Sequence, residues 1–230
     1  MSGATIAGPN RFTASWGRGL GVLLLAHFAL VCAVKIALGV AEETLWMSHV
    51  GLLIAGLGFV RCSTSLIALS LIDVLVVHSV WLVDWSAWML VGRFPLGVTS
   101  YLEHAGLPVW AATFHHFYLS PVLLVAVLFS RECPRVALAG AVGLFVALSV
   151  ISRGCLPRSA NVNFAFRVAI ELNWAFTDWV NTLPGPAYLL VLNAFVSVVF
   201  FLPTYLVLRC WCDAGRGHPP RHRPSSAGGA

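Results

Sequence analysis

Apolar positions in this chain run on without a break; they neither alternate nor recur along one face. Six stretches are nearly continuous, at about 19–40, 45–60, 63–83, 107–129, 136–152 and 183–208. A helix crossing the roughly 30 Å hydrocarbon core of a bilayer needs about 20 mostly apolar residues. Each stretch is therefore a candidate span, with the second and fifth short. Strands of a transmembrane barrel alternate apolar and polar residues, so continuous runs exclude that architecture. The pattern predicts an all-α polytopic bundle of six spans within residues 1–210. A Gly-, Pro-, Ser- and Arg-rich tail over 211–230 is expected to be disordered. The first apolar run is longer than a signal-peptide core and is interrupted by Lys35, so it reads as an uncleaved anchor.

Composition agrees: the 230 residues are 59% hydrophobic and only 10% charged. A soluble domain carries about 25% charged residues, and a disordered chain needs low hydrophobicity. The net charge of +5 would suggest nucleic acid in a soluble protein. Here the basic residues flank apolar runs, so they read as an orientation signal with membrane lipids as partners and no nucleic acid. With six spans, one side collects Arg11, Arg18, Arg61, Arg131, Arg135, Arg209, Arg216, Arg221 and Arg223; the other collects Arg93, Arg153, Arg158 and Arg167. Nine against four places both termini in the cytoplasm of a multi-pass cell-membrane protein. The loops at about 84–106 and 153–182 are then external. Their aromatics, among them Trp85, Trp88, Tyr101, Phe164, Phe166, Trp174 and Trp179, place them along the outer interface. Six cysteines without a CxxC motif give neither a disulfide framework nor a zinc knuckle.

Ionisable groups in hydrocarbon are costly, which makes them functional candidates. Counting along the spans, Lys35, His49, His78, Asp84 and one of His115 and His116 fall in the outer half, while Asp73 and His27 lie near the middle. This convergence predicts a polar pocket roofed by the aromatic loops. His116 is the candidate base, with Asp84, His49 or Asn163 beside it. Asn161, Asn163, Lys35 and His78 are candidate substrate-binding residues. His49, His78, His116 and Asp84 would suffice for zinc. No span pairs histidines at i, i+4, however, and adjacent His115 and His116 should point about 100° apart. Neither a metal nor another cofactor is expected. Thr44 and Ser48 are the nearest hydroxyls to His49. Pro121 and Pro203 are expected to kink the fourth and sixth spans.

The segments Trp46-Met-Ser-His49-Val-Gly-Leu-Leu, Trp81-Leu-Val-Asp84 followed by Gly92 and Gly97, Phe114-His115-His116-Phe-Tyr-Leu-Ser-Pro121, Asn161-Val-Asn163-Phe and Leu202-Pro203-Thr-Tyr resemble a bacterial family of uncharacterised six-span membrane proteins. That family carries Asp at the position of His49 and His at that of Tyr205, so a carboxylate in the second span is not carried over. The layout is more distantly similar to YwaF-like proteins and to the androgen-induced membrane hydrolases. Those hydrolases use an intramembrane threonine and histidine, and the resemblance puts the histidine at His116 without aligning the threonine to Thr44. The resemblance bears on the fold more than on the activity; it is the depth of the polar pocket, where the ester carbonyl of a lipid would sit, that points to a lipid-acting hydrolase or acyltransferase. A small transporter or ion- or proton-conducting protein, and a non-enzymatic assembly partner, are the alternatives.

Overall fold

The computed structural model describes residues 11–168 and 175–214, with side chains from Gly17 onward. Among the described residues there is no strand, and the order is α1 (Arg11–Ala37), α2 (Met47–Val60), α3 (Thr64–Val91), α4 (Leu107–Thr113), α5 (His115–Ser130), α6 (Arg135–Cys155), α7 (Ala175–Asn181), α8 (Gly185–Phe195) and α9 (Leu202–Ala214). Among the described residues five helical segments are long and apolar enough to cross a membrane: Gly17–Ala37, Thr64–Val91, Leu107–Ser130, Arg135–Cys155 and Gly185–Ala214. The expected second span is a 14-residue apolar helix, Met47–Val60. At 1.5 Å per residue it is about 21 Å long, short of the hydrocarbon thickness.

Several expected boundaries move. The third helix runs through Val91, so Asp84 sits within it and not at its end. It stops at Gly92, whose φ of 67° lies in the left-handed region and whose N–H returns to the Trp88 carbonyl at 2.8 Å. The fifth expected span is longer than its apolar run, reaching Cys155. Residues 211–214 continue α9, so the helix enters the stretch expected to be disordered; the rest of that tail, like Glu171 and Trp174, lies outside the described residues. The bend in the last span is a π segment, Val196–Phe201, directly ahead of Pro203. Proline offers no N–H to the carbonyl four residues back, and the wider turn absorbs that loss. In the fourth span the interruption is at Phe114, between α4 and α5, and Pro121 lies inside an unbroken α5.

Helix α3 is the central element and packs against α2, α5 and α6, with further contacts to the π segment and α9. Half of its apolar window is buried, against 28% for α1 and for the last span. Helix α1 packs on α2 and α4. The α1–α2 seam is closest at Gly21, where an added Cβ would lie 2.7 Å from the Val60 nitrogen and 2.8 Å from the Gly56 carbonyl oxygen. Small residues allow such backbone approach, and packing of this kind drives helix association in lipid. Gly21→Leu is expected to destabilise the bundle by about 3 kcal/mol, because backbone cannot yield as a side chain does. Thermal unfolding in detergent checks this against Gly19→Leu, where nothing lies within 4 Å. Equal melting temperatures would remove the close seam as a determinant of the fold.

Both aromatic loops fold down on the bundle. Trp81 Nε1 donates to the Tyr101 hydroxyl at 3.1 Å, Tyr188 donates to the Phe164 carbonyl at 2.6 Å, and Trp46 meets Phe164 edge-on at 5.6 Å. Thr99, Leu102, Val162 and Ala165 are buried beneath them. At the opposite end, burial pushes the Cys133 thiol up to about 11, with Cys212 adding in the same sense, so Cys133 is a neutral packing group.

Candidate functional site

The site begins at the α4–α5 break. The Phe117 N–H turns to the Phe114 carbonyl at 3.1 Å, one residue short of its α-helical partner Thr113. Two imidazoles bond the carbonyls beside the break. His115 Nδ1 donates to Ala112 at 2.9 Å and His116 Nδ1 donates to Thr113 at 2.9 Å. Each ring folds back on the carbonyl three residues earlier, so these neighbours lie side by side. Their centroids are 4.2 Å apart at 40°. The expectation that adjacent histidines must diverge is corrected here, because it assumed an uninterrupted helix.

Three other helices bring imidazoles to the same place. From α3, His78 lies 4.6 Å from His116 and 5.6 Å from His115. From α2, His49 is 5.3 Å from His115, and from α1, His27 is 5.6 Å from it. Five of the eight histidines thus meet in one cluster, four of them buried and His27 half-buried.

The hydrogen bonds fix the proton positions. A carbonyl oxygen only accepts, so His49 Nδ1, 2.8 Å from the Glu43 carbonyl, carries a proton, as do the Nδ1 atoms of His115 and His116. When neutral, all three present a bare Nε2. His78 Nδ1 is 3.0 Å from Ser120 Oγ, and its Nε2 is buried with no partner, as is Nε2 of His115. His27 has the other tautomer, with Nε2 donating to Ala111 at 3.0 Å and Nδ1 accepting from the Tyr118 hydroxyl at 2.5 Å. Trp81 covers His116 face to face at 4.6 Å. One ring nitrogen from each of His78, His115 and His116 lies within 4.8 Å of the other two, which suits proton transfer or ligation of a cation.

The remaining sequence candidates sit around this cluster in other roles. Asp84, fully buried, accepts from Leu96 N at 2.7 Å and from both Thr99 N and Thr99 Oγ1 at 2.8 Å, which pins the loop after α3. Asn163 accepts from Met47 N at 2.7 Å and donates to the Leu45 carbonyl at 2.8 Å, so it caps α2 from the second loop. Lys35 pairs with Glu43 at 2.5 Å and ties α1 to the turn that leads into His49. Asn161 closes its own loop through the Phe166 and Arg167 amides. It also lines a separate cavity of about 600 Å³ with Arg153, Arg158, Ser159 and Arg167, and among the described residues no carboxylate lines that cavity. Thr44 donates to the Ala41 carbonyl within its own exposed turn.

Sequence spacing singled out neither His115 nor Ser120 individually, and it left His27 at the midplane without a role. Ser120 lies four residues after His116, one helical turn, and that offset was the available signal. Asp73 stands apart: both its oxygens are buried without a hydrogen-bond partner in the middle of α3. Comparisons with protein families, with curated proteins and with solved structures found no match to this chain.

Proposed function

We propose that this chain is a six-span cell-membrane protein with both termini in the cytoplasm, and that it hydrolyses ester-bearing membrane lipids at the histidine cluster. The observation that carries this reading is the set of buried imidazoles whose Nε2 atoms are held bare by backbone carbonyls. An imidazole locked in one tautomer is a base ready to take a proton from water. His116 is the base in this reading, and His49 and His78 assist at the same water. The lipid enters along the α1–α5 side, where half-buried His27 bonds Tyr118 and Tyr118 packs on the exposed ring of Phe114. The arginine-lined cavity supports a phosphate-bearing substrate. Three of the four arginines assigned to the outer side gather there, where a guanidinium pairs readily with phosphate oxygens. Asp84, Asn161, Asn163 and Lys35 hold the roof and the α2 entry in place.

The test is reconstitution of the intact protein in vesicles of phosphatidylcholine, phosphatidylglycerol and monoacyl lipids, with release of fatty acid as the readout. Turnover above protein-free vesicles is expected. Absence of release from a folded, reconstituted protein would sink the reading. Asp73 favours a second one: an unpartnered mid-membrane carboxyl, five residues inward of His78 along α3, is the group a proton pathway would use. Proton flux through those vesicles without lipid cleavage would select it.

A further inference from the structure

We propose that His78, His115 and His116 together bind one divalent transition-metal ion of the zinc class. The proposal deepens the hydrolytic reading, on which only its catalytic consequence rests; the ion site stands on its own geometry. Three arguments from the fold carry it.

The first is the state of the ligand atoms. Nε2 of His78 and Nε2 of His115 are fully buried and bond to nothing. A buried polar atom without a partner costs about 1–3 kcal/mol, and two in one cluster call for an occupant. Both residues show 0% exposure, and His116 shows 5%.

The second is the state of the opposite ring nitrogens. Nδ1 of His115 and of His116 each donates to a backbone carbonyl at 2.9 Å, and Nδ1 of His78 meets the Ser120 hydroxyl at 3.0 Å. Metal-bound histidines are held in this way, the second nitrogen donating to a carbonyl or polar group and fixing tautomer and ring plane. Trp81 stacked on His116 adds a packing constraint.

The third is spacing and hardness. One ring nitrogen of each of the three residues lies within 4.8 Å of the other two, so gathering them on one ion needs a modest closure. In a tetrahedral site with metal–nitrogen distances of about 2.0–2.1 Å they would be about 3.3 Å apart. An all-imidazole set suits zinc and its neighbours and rejects magnesium and calcium, which demand oxygen.

Three protein ligands leave a fourth position for water. The ligands are neutral, so a bound dication would carry its full charge into a low-dielectric core, and that cost favours ionisation of the bound water to hydroxide. With the ion bound, His116 serves as a ligand and the role of base passes to His49, whose ring packs 5.3 Å from that of His115 and whose Nε2 accepts that proton. In hydrolysis the hydroxide oxygen bonds to the ester carbonyl carbon, the acyl–oxygen bond breaks, and the alcohol leaves with the proton from His49. One water is consumed, and one acid and one alcohol form.

The experiment measures metal directly. Intact protein purified in detergent, stripped with a chelator and then exposed to zinc, is expected to retain one zinc per chain by mass spectrometry. Loaded with cobalt instead, it should show the visible bands of tetrahedral nitrogen coordination. His115→Asn and His78→Asn should each weaken retention more than about a hundredfold, beyond the 10–100-fold typical of losing an outer-shell partner. Wild-type protein that is folded yet holds no stoichiometric zinc and shows no cobalt bands overturns the proposal, whether or not the asparagine variants fold. Retained zinc in both variants overturns it as well. Lipid hydrolysis by protein that binds no zinc removes the ion site and leaves the hydrolase, whereas tight zinc without hydrolysis does the reverse.

Discussion

Asp84→Ala is expected to cost the protein about 3–5 kcal/mol, a large share of the 5–15 kcal/mol that usually separates folded from unfolded chains. The carboxylate is fully buried and accepts three hydrogen bonds, two from backbone N–H groups of the loop it holds and one from Thr99 Oγ1. Alanine leaves the amides of Leu96 and Thr99 without their acceptor in a space closed to water. It also frees the segment carrying Tyr101, whose hydroxyl meets Trp81, the residue stacked on His116. Asp84→Asn keeps the shape and one acceptor oxygen, so about 1–2 kcal/mol is expected. Melting in detergent and protease sensitivity of the 93–106 loop measure both. A catalytic carboxylate would behave differently, with Asp84→Asn abolishing turnover at an unchanged melting temperature. That result would return Asp84 to the chemistry and remove it from the loop.

His116→Asn is the counterpart at the reacting centre. The asparagine amide nitrogen occupies nearly the place of Nδ1 and can still donate to the Thr113 carbonyl, so the helix break should survive. What disappears is Nε2. Lipid-ester hydrolysis is expected to fall about 10²–10⁴-fold, the usual worth of a positioned acid–base group, with melting shifted little. His116→Gln is the reverse substitution: it reaches toward the Nε2 position but abandons Thr113, so it should lower the melting temperature as well. Wild-type turnover in His116→Asn would dismiss His116 from the reaction. Comparable melting losses in both variants would assign the ring to the helix break alone.

The two expectations separate residues that the sequence had grouped together. Lys35, His49, His78, Asp84 and one of His115 and His116 fall at similar depths when counted along their spans. Depth is a one-dimensional quantity set by 1.5 Å per residue along a helix, and it is all that counting can address. Direction around the helix and the reach of each side chain are not fixed by counting. Asp84 and His78 are six residues apart on one helix, yet one holds a loop and the other enters the cluster.

The amino-acid sequence by itself determined that this protein is helical and lipid-solvated, since a continuous apolar run satisfies its backbone only by coiling on itself. It also picked out the polar groups within the apolar runs and the aromatic segments that fold over them. The tertiary structure decided how the histidines meet. Nothing at Phe114 marks a break, since it is neither proline nor glycine. The helix is interrupted there while rings from α1 and α5 bond the carbonyls of Ala111, Ala112 and Thr113. Those bonds join residues from 3 to 84 positions apart, and only the packed bundle brings them together.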